Sequence, residues 1–123
     1  MRKVRYAAGR LSELTIDVAK TVPLTKEVET EANRSGSSSD GGECTLVLTG
    51  GKVYAVGSLC PHQNAPLDGA KVEGGRLVCR RHGYCFDLKT GDCTTIGGYG
   101  IPVYETEVDH ETDIVSVLRL EFE

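Results

Sequence analysis

The chain has no tryptophan, two phenylalanines and one methionine among 123 residues, so any core must rest on Val, Leu and Ile. It also lacks an excess of positive charge. Fourteen Lys and Arg stand against 18 Asp and Glu, a net charge of −4, which argues against nucleic acid as a main partner. Long apolar runs are missing too. No window approaches the ~20 apolar residues of a membrane helix. The opening Met1-Arg2-Lys3-Val4-Arg5-Tyr6 has no apolar run behind its positive residues and does not read as a secretory signal. The five cysteines are an odd number without the spacing of a secreted disulfide framework, so the cytoplasm is the expected compartment. Proline is scarce at four, whereas glycine reaches 15, a balance that predicts tight turns between short strands. A single domain over residues 1–123 is expected.

Residues 9–14 read as a turn or one helical turn, residues 15–20 as a loosely alternating strand, and 21–28 as an edge strand because of Pro23. Residues 29–43 are polar, Gly- and Ser-rich and aperiodic, the composition of a flexible surface insert. Residues 44–49 and 52–56, joined by Gly50-Gly51, predict a β-hairpin. A second hairpin pairs residues 70–73 with 76–79 across Gly74-Gly75. Residues 84–87 lead into a turn over 88–92. Residues 101–108 and 113–120 alternate and predict an antiparallel pair. The expected fold is all-β, a small antiparallel sandwich or barrel.

Two pairs of soft ligands stand out: Cys60-Pro61-His62, then sixteen residues, then Cys79-Arg80-Arg81-His82. Two thiolates and two imidazoles suit zinc or an iron–sulfur centre. A zinc finger usually groups its cysteines and places its histidines on a helix, whereas here each loop carries one Cys and one His. Both chemistries remain open from ligand types alone.

The flanking residues narrow the choice. Cys60-Pro61-His62 continues as Gln63-Asn64-Ala65-Pro66-Leu67, and His82 as Gly83-Tyr84-Cys85-Phe86-Asp87-Leu88-Lys89-Thr90-Gly91. Over residues 44–118 this resembles the Rieske [2Fe–2S] ferredoxin family, and within it the soluble ferredoxins of aromatic-ring oxygenases. The resemblance implies a cluster-binding subdomain of two hairpin loops over residues 57–95. It implies one [2Fe–2S] cluster per chain, with Cys60 and Cys79 on the inner iron and His62 and His82 on the outer iron. The respiratory-complex type has an extra cysteine in each ligand loop, where this chain has Ala65 and Arg81, so no disulfide is expected between the loops. That type also has a Ser and a Tyr after the second His, where this chain has Tyr84 and Phe86. Fewer donors to the sulfurs imply a potential near the bottom of the ~ −150 to +300 mV Rieske range. Arg80-Arg81 stand where the resembled ferredoxins commonly carry Pro-Trp. They would raise the potential slightly and favour an acidic partner, or else are simply solvated.

The implied function is one-electron carriage from a flavoprotein reductase to a terminal oxygenase or similar acceptor, with no catalysis by the chain itself and no membrane. Alternatives are a zinc-stabilised binding module using the same four ligands, and a small Rieske subunit or domain of a larger oxidoreductase such as nitrite reductase. Cys85 is expected to be a packed or partly exposed thiol, Cys44 and Cys93 buried or free thiols, and His110 a solvated turn residue. The segment 97–100 lacks the strand-then-helix setting of a nucleotide loop. By the resemblance it would cover the cluster from a third side. Asp87 and Thr90-Gly91 are expected to close a turn behind the second loop, and Glu105 and Glu107 to form one polar strand face.

Overall fold

A computed structural model describes residues 2–26, 42–60, 65–80, 83–95, 97 and 100–121. In chain order its strands are β1 (Arg2–Arg10), β2 (Lys20–Pro23), β3 (Thr25–Lys26), β4 (Glu43–Thr49), β5 (Lys52–Val56) and β6 (Leu59–Cys60). They continue as β7 (Ala65–Pro66), β8 (Lys71–Glu73), β9 (Arg76–Val78), β10 (Cys85–Asp87), β11 (Val103–Asp109) and β12 (Ile114–Glu121). A 3₁₀ turn covers Leu11–Glu13. The all-β expectation holds.

Seven strands form one antiparallel sheet in the order β2-β4-β5-β11-β12-β1-β3. Its two outermost strands are consecutive in the chain, separated by Leu24 alone. The chain therefore crosses from one sheet edge to the other at a single residue, which requires the sheet to curl into a half-barrel. Leu24 is fully buried, and its N–H donates to the Gly42 carbonyl at 2.8 Å. Inside the curl, Val4, Tyr6 and Ala8 of β1 meet Val115 and Val117 of β12, Cys44 and Leu46 of β4, and Ala55 of β5. Each set is spaced by two, the strand period.

β4 is different: Cys44, Thr45, Leu46 and Val47 are all buried. Alternation disappears because both of its faces are covered. Cys44 and Leu46 face the barrel interior, while Val47 and Val56 belong to a second core with Leu67, Leu77, Phe86 and Leu88. That second core lies under a three-stranded sheet, β10-β9-β8, and a two-stranded ladder, β6-β7.

The outer edge of β2 offers little for another strand to pair with. The Thr21 N–H donates to Asp68 Oδ1 at 2.7 Å, and Pro23, two residues on, has no N–H to offer. The Thr21 and Thr45 hydroxyls meet at 2.9 Å, as expected of a closely spaced cross-strand pair.

Two expectations need correction. Residues 15–20 are not a strand: Ile16 and Val18 make single bridges, Asp17 turns to φ 65°, and pairing begins only at Lys20. Conversely β1, for which no strand is expected, lies between β12 and β3 in the sheet. The insert at 29–43 lies outside the described residues except for Gly42 and Glu43, the latter opening β4.

Candidate metal centre

The first loop leaves β5 through Gly57, whose N–H donates to the Pro102 carbonyl at 3.0 Å. A side chain at Gly57 would meet the Pro102 ring at 2.9 Å, so this crossing needs glycine. Leu59 then pairs with Pro66 and Cys60 with Ala65, while the Leu67 N–H closes on the Ser58 carbonyl at 3.0 Å. Cys60 thus ends β6 on the side of residues 61–64, which lie outside the described residues. The chain turns over residues 67–70, with the Ala70 N–H on the Leu67 carbonyl at 3.0 Å and Gly69 at φ 83°.

The second loop is built on the hairpin of β8 and β9. Gly74 and Gly75 have φ 60° and 81°, both central positions being left-handed as a type I′ turn demands. Lys71↔Val78 and Glu73↔Arg76 set the register, which delivers Cys79 one residue beyond the ladder. The Cys79 N–H donates to the Tyr84 carbonyl at 2.8 Å, and the Gly83 N–H returns to the Cys79 carbonyl at 3.0 Å. Both backbone groups of Cys79 are satisfied, its thiol forms no disulfide, and the residue is buried. A thiol so placed is a suitable soft donor.

Behind this loop, Asp87 Oδ1 accepts the N–H groups of Lys89 at 2.7 Å and Thr90 at 3.2 Å, an Asx turn. The Gly91 N–H reaches the Asp87 carbonyl at 2.7 Å. A Cβ on Gly91 would lie 2.1 Å from the Ile101 carbonyl oxygen, so the approach of the two backbones excludes any side chain there. The expected role of Asp87 and Thr90-Gly91 as a turn behind the loop is met. Leu67 from the first loop packs in one core with Leu77, Cys79 and Phe86 from the second. The two loops therefore share a floor.

Of the four expected ligands, Cys60 and Cys79 sit at equivalent places, each at the end of a ladder where its loop begins. His62 and His82 lie outside the described residues, as do Gly98 and Tyr99 of the segment expected to cover the cluster. Among the described residues no group of three His, Cys, Asp or Glu side chains makes a rival metal site. The remaining thiols behave as expected. Cys85 is half-buried with its Sγ 3.5 Å from the Gly83 carbonyl, and Cys93 is buried. Burial pushes the Cys44 thiol up to about 12, so it stays protonated and inert. His110 is exposed in the β11–β12 turn, and Glu105 and Glu107 lie outward, paired with Lys3 at 3.0 Å and Arg5 at 2.6 Å.

Comparison with known proteins agrees with this geometry. The profile of the Rieske [2Fe-2S] domain matches residues 18–105, well over half of the chain. The chain belongs to the Rieske family. Its match begins earlier than residue 44, taking in β2 and the approach to it. As a Rieske domain it binds a [2Fe–2S] cluster.

Among relatives, apoptosis-inducing factor 3 of Mus musculus is 40% identical over 57 residues, 46% of this chain but 9% of that protein. The ferredoxin component of the naphthalene 1,2-dioxygenase system of Pseudomonas putida is 33% identical over 61 residues, 50% of this chain and 59% of that one. The chain thus covers only part of the length of these relatives. Among solved structures, a Mycobacterium tuberculosis chain described as an NADH-dependent nitrite reductase small subunit superposes with TM-score 0.77. It is 22% identical, with 99% of this chain and 100% of that one covered. The ferredoxin of carbazole 1,9a-dioxygenase from Nocardioides aromaticivorans IC177 gives TM-score 0.70 at 24% identity, covering 92% and 95%. These likenesses are of fold. No helix among the described residues is long and apolar enough to cross a membrane.

The sequence pattern misses two supports of these loops: the Pro102 seat for Gly57 and the Asp68 bond to Thr21. Both join residues far apart in the chain, and no local pattern announces them.

Proposed function

We propose that this Rieske domain is a one-electron carrier whose cluster is held by Cys60 and Cys79 on one iron and His62 and His82 on the other. The observation that carries the reading is the matched delivery of Cys60 and Cys79 by two short ladders over one shared core. The residue set fits the group: a buried, unpaired thiol in one loop and the same residue type at the mouth of the other. The cluster supplies a single reversible electron at a potential raised by imidazole ligands relative to an all-cysteine centre.

The protein's own part is to hold and to shield. The core of Leu67, Leu77 and Phe86 keeps water from the inner side of Cys79, and the ladders place the backbones of the two cysteines. Phe86 is fully buried and has no hydroxyl to offer a sulfur, in keeping with a low potential within the Rieske range. The cavity of about 460 Å³ at the barrel seam, lined by Ala8, Arg10, Lys20 and Val22 among others, includes neither cysteine. The chain carries electrons and turns over no substrate by itself.

The donor is a flavoprotein reductase, and the acceptor a terminal oxygenase or similar centre, by analogy with the ferredoxin relatives. A cytoplasmic location accords with the reading. A second reading has its own support in the full-length superposition on the nitrite reductase small subunit. In that case the chain is a tightly held subunit, and it co-purifies with a large partner instead of exchanging between two.

The test is a low-temperature EPR spectrum with visible absorption, before and after dithionite. A brown protein, EPR-silent until reduced, with the low average g of a histidine-ligated centre, is expected. A colourless protein carrying zinc would overturn the reading while leaving the fold intact.

A further inference from the structure

Arg80 is the first residue beyond Cys79, and its side chain does not simply extend into solvent. A Cβ built on Gly69 would lie 2.9 Å from Arg80 Nη1, 3.6 Å from its Cδ and 3.7 Å from its Cζ. The end of the Arg80 side chain, exposed on its other side, therefore lies over Gly69 in the space a Cβ would occupy. Glycine is favoured at 69 by its φ of 83°, and a side chain there would push the tip of Arg80 aside.

Gly69 belongs to the turn that closes the first loop, and that turn is fixed to the barrel. The Gly69 N–H donates to the Ala19 carbonyl at 2.8 Å, and the Ala19 N–H to the Ala70 carbonyl at 2.8 Å. Asp68 holds the Thr21 N–H beside them. By contrast, the backbone bonds of Cys79 and Gly83 stay inside the second loop. Arg80 makes no ion pair among the described residues. We propose that Arg80 is a positioning residue: its guanidinium, laid on Gly69, braces the second ligand loop against the anchored turn that ends the first. A planar head suits this contact and an ammonium does not. The same cation, one residue from Cys79, favours the reduced state of the centre. The inference builds on the proposed function, since both loops are those assigned there to the cluster.

The brace and the charge separate experimentally. Hydrogen exchange of the peptide containing Cys79 and Gly83, read by mass spectrometry, reports the brace whatever metal is bound. Reduction potential reports the charge. Arg80→Ala is expected to speed exchange in that peptide and bleaching by chelator roughly fivefold, and to lower the potential. Arg80→Lys is expected to lose the brace equally while keeping the potential near that of the parent. Gly69→Ala displaces the guanidinium and adds backbone strain, so its effect should exceed that of Arg80→Ala. In the Arg80→Ala background it should shrink to the strain alone, roughly fivefold in equilibrium for an alanine at such a φ.

Unchanged exchange in Arg80→Ala, full retention in Arg80→Lys, or additivity of Gly69→Ala with Arg80→Ala would each overturn the brace. A zinc-loaded, colourless protein showing the predicted exchange pattern would overturn the electron-carrier reading and leave the brace standing.

Discussion

The half-barrel and the small subdomain hold their chains in different ways. In the barrel, β12 pairs with β1 at seven registered positions and with β11 at five. Among the described residues of the subdomain no ladder exceeds three pairs, and the ladder carrying Cys60 has two. The barrel is zipped by long antiparallel pairing around an interior of its own. The subdomain depends on turns closed by single hydrogen bonds and on a core borrowed partly from the back of β4. A scaffold of long ladders thus carries a region of short ones, which is the easier of the two to open locally.

The largest effect should come from the shared floor. Phe86→Ala is expected to cost about 3–5 kcal/mol. Because Phe86 sits under both loops, bleaching of the cluster in urea should move to lower denaturant than the loss of β circular dichroism. Coincident transitions would mean that the two regions are one cooperative unit. Leu24→Ala attacks the other side of the comparison. It should cost about 2–5 kcal/mol, and both transitions should fall together, since the subdomain cannot outlast the barrel beneath it.

Removing the cluster with a chelator under reducing conditions should raise hydrogen exchange over residues 59–66 and 76–87 while β1 and β12 stay protected. Uniform deprotection would break the comparison. A smaller change is expected at the barrel surface. Lys3→Ala removes an exposed pair with Glu105 and should cost about 0.2–1 kcal/mol, with the visible spectrum unaltered.

The gentlest perturbation is by acid. The Ser12 hydroxyl bonded to Asp113 holds that carboxyl below its ordinary value of 3.8, aided by the Ser12 N–H and by Arg10 and His110. A depressed carboxyl pKa adds stability that is present above the unfolded value and is lost as pH falls through the folded one. Parent and Ser12→Ala should therefore differ in thermal midpoint near neutrality and converge below pH 3.8. A gap that persists at low pH would assign the effect to packing instead.

How much of this was readable from sequence follows the same division. The Gly50-Gly51 and Gly74-Gly75 turns were legible because each pair adopts two positive φ values that few other residues tolerate, the first with β-branched runs on both sides. The Asp87 turn was legible for a related reason, since its side chain substitutes for backbone within four residues. β1 is hard to read although Val4, Tyr6 and Ala8 alternate, because Ala7 and Gly9 blur the polar half of the pattern. Residues 15–20 misled in the opposite sense: their alternation is interrupted by Asp17 at φ 65°. Closure of the sheet through Leu24 and the burial of β4 on both faces depend on contacts distant in the chain. No window of sequence contains them. For the site, the paired Cys-x-His and Cys-x-x-His spacing pointed to both cysteines, and the fold adds that each stands at a ladder's end over a common core.

The most direct test of the account is the potential and absorption of His82→Cys, measured beside the parent. If His82 is a ligand, replacing a neutral imidazole by a thiolate should lower the potential and move the spectrum towards that of an all-cysteine cluster, or abolish the cluster. An unchanged spectrum and potential would contradict the assignment of the second loop to the cluster, and with it the proposed route of the electron.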